Sequence, residues 1–589
     1  MTSPGKKDRP LWRLMSYMLE QRLHFTFMVF CMLGVSLSLA FLPVIIGDMT
    51  GILAAGPGPT QPLVDATIKL VLLVAALSVF SFLASWVLSG MAQRALYRLR
   101  TSLFKKMQTL ALDFYDHQPI GELMSRVTND TDIIEQFLTA GVITIIENIM
   151  IVSITTVVML IMNPWLTLLV YMVVMGLILS SLALERIASP AFERLQQELA
   201  SLNGLAEERL AGAKTVIAYN QQESSRAEFG EISDKAMKAS ARAQFSALIT
   251  MPLATIFSNI QIVAIAVVGS LMVINGDIGV AAIVAFLGFS YNLSGPLGQI
   301  FSIFPQLVGA STGAKRVFQI LDEEPHVADR EGAVEQGPVT GDVVFSHVDF
   351  SYVKGRRVLK DADFHALPGK VVGLCGPTGA GKSTIINILT RYYDIDDGSI
   401  EVDGKRIDEV QQDTLRIQIA QVLQEPFLFS DTIMNNLKYA RFGATDEDCI
   451  AAAQQANAHD FIMAMPEGYG TFLVDGGGNL SLGQRQMLTI ARAIVADPRM
   501  LILDEATSNV DTQTEKKIQE GLLHLQEGKT SFIIAHRLST IRHADMIMVI
   551  NKGEIIERGT HQQLMAAKGF YHDLYMAQFR GKSIDRVWQ

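Results

Sequence analysis

Cysteine is scarce in this chain: only Cys31, Cys375 and Cys449 occur among 589 residues, and their separation excludes both a disulfide framework and a cysteine metal cluster. Each reads as a small buried residue. An excess of basic residues is also missing, since the formal charge is -10. A protein that tracks a nucleic-acid backbone needs a basic footprint, so no nucleic-acid partner is expected. The start of the chain has neither the short apolar core nor the small-residue cleavage site of a removable leader. The most telling absence is of charge in the first half. Residues 25–47, 70–90, 165–184, 243–274 and 278–314 contain no Asp, Glu, Lys or Arg, and 137–162 contains only Glu147. A helix of about 20 apolar residues crosses the hydrocarbon core of a bilayer, so six membrane spans are predicted.

The connections between these runs alternate in length. Asn163-Pro164 and 275–277 are tight turns, whereas 91–136 and 185–242 are long, polar and helical in pattern. The long segments carry Arg94, Arg98, Arg100, Lys105, Lys106 and Arg126, then Arg186, Arg194, Arg209, Lys214, Arg226, Lys235, Lys238 and Arg242; the opposite loops offer only Lys69, at a span edge. The positive-inside rule therefore places both termini and both long segments on the cytoplasmic side. Each long segment can make a pair of helices protruding roughly 30 Å from the membrane. Ahead of the first span, Trp12, Leu14, Met15, Met18 and Leu19 recur at helical spacing among charged residues, predicting an interfacial helix within 1–24. Glu147 either faces a cavity or partner, or snorkels to the inner interface. Prolines 252, 296 and 305 mark bends in the last two spans.

Beyond a polar linker, 322–342, the pattern becomes mixed and globular. Alternating apolar residues in "VVFSHVDFSY" read as a strand, and the run "KVVGLC" leads into "GPTGAGKST", then "IINILTRYY". Strand, glycine loop and helix in that order make a phosphate-binding loop. Gly376, Pro377, Thr378, Gly379, Ala380, Gly381, Lys382, Ser383 and Thr384 are its residues: backbone N–H groups face phosphate, Lys382 neutralises its oxygens, and Ser383 holds Mg2+. Further on, "RMLILDEATSNVD" is a buried strand ending in two acids. Asp504 suits an indirect or water-mediated Mg2+ contact, and Glu505 suits polarising an attacking water.

Taken with "NLSLGQRQ" at 479–486, these motifs resemble the ATP-binding cassette (ABC) family, and the resemblance extends over nearly the whole chain. It implies a fold: a six-helix, exporter-type membrane domain at 25–321 fused to an α/β P-loop nucleotide-binding domain at 343–580, with a tail at 581–589. It also implies roles. Tyr352 resembles the aromatic that stacks on adenine, Gln424 the glutamine that senses Mg2+ and water, His536 the histidine that contacts the γ-phosphate, and 508–511 the loop that crosses between subunits. Alone, Tyr352 is a plain strand aromatic, Gln424 a surface amide and His536 a core histidine; their joint order is what is specific. Regions near 114–130 and 205–223 resemble the coupling segments through which cassettes meet membrane helices.

The signature run opens a helix, so its free N–H groups, the Ser481 hydroxyl, Gly483 and Gln484 form an anion site. In the family this site closes over ATP held by another subunit's phosphate loop. With one loop, one signature and six spans, the chain is expected to be a half-transporter that dimerises. Leu482 stands where glycine is commonest, and "VDGGG" departs from the usual "VGERG". The run resembles the subunit of heterodimeric bacterial exporters that keeps the catalytic glutamate, so a heterodimer is expected ahead of a homodimer. The implied activity is ATP-driven export of amphipathic drugs or lipids across the bacterial cytoplasmic membrane, using ATP and Mg2+ and contacting membrane lipids. The alternatives are a dedicated peptide, lipid or siderophore carrier, or an ATP-gated channel or regulator.

Overall fold

The structure is a computed structural model and describes residues 10–56, 58–324, 327–504, 512–535, 538 and 540–579. The chain forms two compact units. One comprises the chain up to Gln108 together with Ile120–Glu323; the other joins Thr109–Pro119 to the chain from Glu324 onward.

The first unit is helical throughout. Gln61–Met107 and Pro164–Ala211 run 47 and 48 residues, about 70 Å at the α-helical rise and more than twice the hydrocarbon thickness. By length and apolarity Arg22–Ala54, Gln61–Met107, Ile120–Met162, Pro164–Ala211 and Thr255–Ile274 can each cross a membrane, and Val280–Pro296 is a shorter apolar helix opening the Val280–Asp322 helix. Trp86, Ile161 and Trp165 are exposed, which suits lipid rather than water. The tight turn before Pro164–Ala211 has a clear cause: Pro164 begins the helix, and the Asn163 side chain accepts from the Leu166 N–H at 3.0 Å.

Polar contacts hold these helices at defined places. The Pro10–Leu19 helix buries Leu14 and Met18, while Arg13 pairs with Asp322 at 2.6 Å and lies over the Phe318 ring. Two π-helical turns, Arg126–Asp130 and Phe137–Gly141, interrupt the run from Ile120 to Met162. Asp130, at the end of the first, is buried, and both its carboxylate oxygens accept from the Arg316 guanidinium. Glu147 is partly buried beside Asn148, whose amide donates to Gln299 at 3.1 Å.

The second unit contains two sheets. An antiparallel sheet has the order β2-β1-β4-β5, from β1 (Val343–Phe350), β2 (Leu359–Ala366), β4 (Asp397–Val402) and β5 (Lys405–Arg406). A six-stranded sheet has the order β10-β9-β3-β8-β7-β6, from β3 (Val371–Cys375), β6 (Ile419–Val422), β7 (Met500–Asp504), β8 (Thr530–Ile534), β9 (Met546–Asn551) and β10 (Glu554–Gly559). All its pairings are parallel except β9 with β10. The apolar runs of β7 and β8 are explained by burial on both faces. Met500, Ile502 and Phe532 pack toward the antiparallel sheet, whereas Leu501, Leu503 and Ile533 pack toward the helices Asp446–Gln455 and Leu482–Ala496.

Much of the stretch read as linker is bonded to this unit. Val334 bridges Val410, and Gln336 donates to the Val402 carbonyl at 3.2 Å. Asp403 and Gly404, both left-handed at φ 51° and 73°, turn β4 into β5. The Asp403 carboxylate accepts from the N–H groups of Thr340, Gly341 and Asp342 and from the Thr340 hydroxyl. Partial burial pushes its pKa up, but these donors together outweigh that and hold it below the usual carboxylate range.

A group with a depressed folded-state pKa contributes stability above its unfolded value and loses it as pH falls through the folded value. Asp403→Asn, which tolerates the left-handed backbone, is expected to lower cassette stability by about 1–2 kcal/mol at neutral pH. Denaturation of parent and variant should show the gap closing below about pH 4, where the unfolded carboxyl takes up its proton.

Candidate functional site

The parallel register brings the chemistry to one edge. Leu374 of β3 pairs with Ile534 of β8, Ile534 with Asp504 of β7, and Leu503 with Val422 of β6. The carboxyl ends of four neighbouring strands therefore lie level, which is where an open α/β sheet binds its ligand. The phosphate loop leaves β3, Gln424 stands exposed two residues past β6, and Asp504 ends β7. Glu505, residues 508–511 and His536 lie outside the described residues.

The loop is shaped to admit phosphate. Gly376 has φ 152°, and a methyl group there would stand 2.1 Å from the Ile550 carbonyl oxygen. Pro377 is partly buried, Thr378 and Gly379 are exposed, and Ala380 is buried. Gly381, at φ 110°, caps the helix Lys382–Leu389 and is followed by exposed Ser383 and buried Thr384. The Lys382 ammonium donates to the carbonyls of Gly376 and Pro377 at 3.0 and 2.9 Å, so it folds over its own loop. Burial, opposed by the nearby Lys382 charge, pushes the Cys375 thiol up to about 12, which makes it a packing residue and not a nucleophile.

Tyr352 lies two residues past β1 and is attached to the same helix. Its hydroxyl donates to Thr384 Oγ1 at 3.3 Å and accepts from Asn387 Nδ2 at 3.1 Å. Ser481 caps the helix Leu482–Ala496 in a reciprocal box: its hydroxyl accepts from the Gln484 N–H at 3.2 Å, and the Gln484 amide oxygen accepts from the Ser481 N–H at 2.9 Å. The Ser481 hydroxyl proton is still available to an anion. Leu482 is half-buried at the first helical position and Gly483 is buried. In the preceding "VDGGG" run, Gly476 and Gly477 both take left-handed backbone, as a tight turn beside Leu428 and Arg485 requires.

Sequence reading missed the ties between motifs. Gln486, two residues past Gln484, donates to the Leu423 carbonyl at 3.4 Å. Arg492, one face further along, donates to the Phe427 carbonyl and to the Asn436 carbonyl, each at 2.9 Å, and to Asn436 Oδ1 at 2.7 Å. The signature helix therefore grips the loop that carries Gln424. A Gln and an Arg standing among the apolar residues of this helix were the signal available, and they do not name their partners.

Among the described residues, no group of three or more His, Cys, Asp or Glu could hold a metal by itself.

Comparison with known proteins agrees with this geometry. Residues 25–297 match the family described as ABC transporter transmembrane region, and 359–508 match ABC transporter. The chain is 40% identical to the uncharacterized ABC transporter ATP-binding protein YfiC of Bacillus subtilis, over 88% of this chain and 86% of that one. It is 37% identical to a fatty acid ABC transporter ATP-binding/permease protein of Mycobacterium bovis (89% and 83%), and 34% identical to an ATP-dependent lipid A-core flippase of Syntrophus aciditrophicus (85% and 83%). A solved bacterial Atm1-family ABC exporter with ATP bound superposes with TM-score 0.79 at 26% identity, covering 95% of this chain and 98% of that one.

Two alanine substitutions separate steric demand from backbone preference. Gly379→Ala meets nothing within 4 Å, so only its left-handed backbone resists, at about 1–2 kcal/mol. Gly376→Ala adds a clash with fixed backbone, so in thermal denaturation without nucleotide its cassette should be less stable than that of Gly379→Ala.

Proposed function

Since the chain belongs to the ABC transporters, as an exporter half-transporter with one transmembrane domain and one cassette, we propose that it pairs with a second half-transporter and exports amphipathic small molecules, drugs or lipids. It is an ATP hydrolase coupled to transport. The observation that carries the proposal is the level edge of β3, β7 and β6, which gathers the phosphate loop, Asp504 and Gln424.

On this reading ATP is held with its adenine on Tyr352 and its phosphates against 376–384. Lys382 would neutralise the β- and γ-phosphate oxygens, Glu505 would orient and polarise the attacking water, and His536 and Gln424 would hold the γ-phosphate and that water in line. Phosphoryl transfer needs such positioning and charge stabilisation more than covalent chemistry. Mg2+ bound with the nucleotide would supply further charge neutralisation, with Ser383 and Asp504 as oxygen donors and Gln424 beside them. The partner's signature would close the site, while Ser481, Gly483 and Gln484 of this chain would close the partner's. A half-buried side chain at 482 is compatible with this, because it sits in the first helical turn while Ser481 stays exposed. The relaxed residue favours a heterodimer in which the busier site uses this chain's Lys382, Glu505 and His536.

The named activities of the fatty acid transporter and the lipid A-core flippase support a lipid-like substrate. The cassette is proposed to face the cytoplasm, as the distribution of Lys and Arg favours.

Reconstituted in inside-out vesicles, the parent pair should accumulate a fluorescent amphiphile on ATP addition. Glu505→Gln should retain ATP binding, lose hydrolysis by about 100-fold or more, and lose accumulation with it. Undiminished ATP-dependent accumulation by that variant would overturn the pump, leaving a gated channel or regulator.

A further inference from the structure

The sequence pattern carries the phosphate-loop helix on through Tyr393, but the helix ends at Leu389 and the residues beyond it leave its axis. Tyr393 is 7% exposed. Its ring meets Tyr352 edge-on, with centroids 5.0 Å apart and planes at 90°, and both rings pack on Phe350. Its hydroxyl donates to the Asp116 carboxylate. Burial, reinforced by Asp116, pushes that phenol well above its ordinary value, so it remains a donor across the physiological range. Asp116 ends the short helix Leu112–Asp116, whose Phe114 is also buried. Thr109–Pro119 packs as part of the cassette unit, yet the chain on both sides of it belongs to the helical unit.

A neighbouring residue supplies a fixed point. Arg391 is 1% exposed, adopts φ 52°, and donates to the carbonyls of Val410 and Ala328 and to Asp394 and Asp329. Ala328 and Asp329 follow the crossing of the chain at Glu323–Glu324. Thr109–Pro119 and the chain just past Glu324 are therefore each bonded by side chains lying within three residues of one another in sequence. One grip is a buried guanidinium with several partners. The other includes the Tyr393 hydroxyl, carried on a ring that touches Tyr352.

We propose that Tyr393 is a positioning residue that reports occupancy of the adenine site to Thr109–Pro119. Adenine stacked on Tyr352 fixes that ring, the edge-on contact then fixes Tyr393, and the hydroxyl fixes Asp116. Arg391 holds the chain just past Glu324 irrespective of nucleotide. The inference rests on the reading of Tyr352 as the adenine-stacking aromatic.

The test uses the full-length protein with its partner in lipid nanodiscs. It reads the affinity for a fluorescent ATP analogue, the KM and kcat of ATP hydrolysis, and hydrogen exchange in Thr109–Pro119 with and without MgATP. Tyr393→Phe keeps the ring, so analogue affinity and KM should stay within about twofold of the parent while kcat falls by about fivefold or more. The nucleotide-dependent protection of Thr109–Pro119 should vanish. Asp116→Ala should do the same, and the double variant should be no worse than either single one, as expected for two halves of one contact. Retained protection in Tyr393→Phe, additive losses, or an analogue affinity that falls with kcat would each overturn the relay. Tyr352→Ala separates the premise: unchanged analogue affinity there removes the adenine reading itself, whereas weakened affinity with a responsive Tyr393→Phe removes only the relay.

Discussion

The cassette depends on the register of four parallel strands. Pairing Leu374 with Ile534, Ile534 with Asp504 and Leu503 with Val422 levels the strand ends and also assigns the apolar side chains of β7 and β8 to one or other of two cores. A slip of one residue would turn Met500, Ile502 and Phe532 toward the helices and Leu501, Leu503 and Ile533 toward the antiparallel sheet. The same slip would move Asp504 off the edge from which the phosphate loop departs. Core packing and site geometry are one constraint here, because hydrophobic burial that locks the sheet also sets the position of the acid.

From that edge, connections run outward in two directions. The signature helix reaches back through Gln486 and Arg492 to the loop between β6 and the helix Ile433–Lys438, so the segments bearing Gln424 and Ser481 share a rigid mount. The phosphate-loop helix continues toward Arg391 and Tyr393, which bond the Ala328 carbonyl and the Asp116 carboxylate. The Asp403 cluster fastens residues 340–342 beside β1 without touching either connection.

What could be read in advance follows from how local each signal is. The phosphate loop was legible because glycine geometry, lysine and helix start occupy nine contiguous residues, and the uncharged runs were legible because lipid dictates composition over a whole helix. The signature's reciprocal cap was implicit in Ser481 and Gln484 at capping-box spacing. The contact between Tyr393 and Asp116 spans 277 residues and that between Arg316 and Asp130 spans 186, and neither leaves a periodic trace in the sequence. Linker-like composition hid the bonds of Gln336 and Val334 for a related reason: polar residues that bond a neighbouring strand look, in one dimension, like polar residues facing water. Trp12 illustrates a partial reading, since it is exposed as an interfacial residue should be, while Leu14 and Met18 on the same helix are buried within the protein.

The two π turns at Arg126–Asp130 and Phe137–Gly141 bear on how this chain tolerates insertions and deletions. Each accommodates one residue more than a regular α-helix would, and one residue corresponds to about 100° of rotation about the axis. A single-residue deletion there can be absorbed as ordinary helix with every backbone bond remade and the exposed face of Ile149, Val157 and Ile161 kept, whereas the same deletion within the regular helix Val142–Met162 would rotate everything beyond it. These two turns, and not the regular helix that follows them, are therefore where the segment takes up a change of one residue without changing which side chains of Val142–Met162 meet lipid.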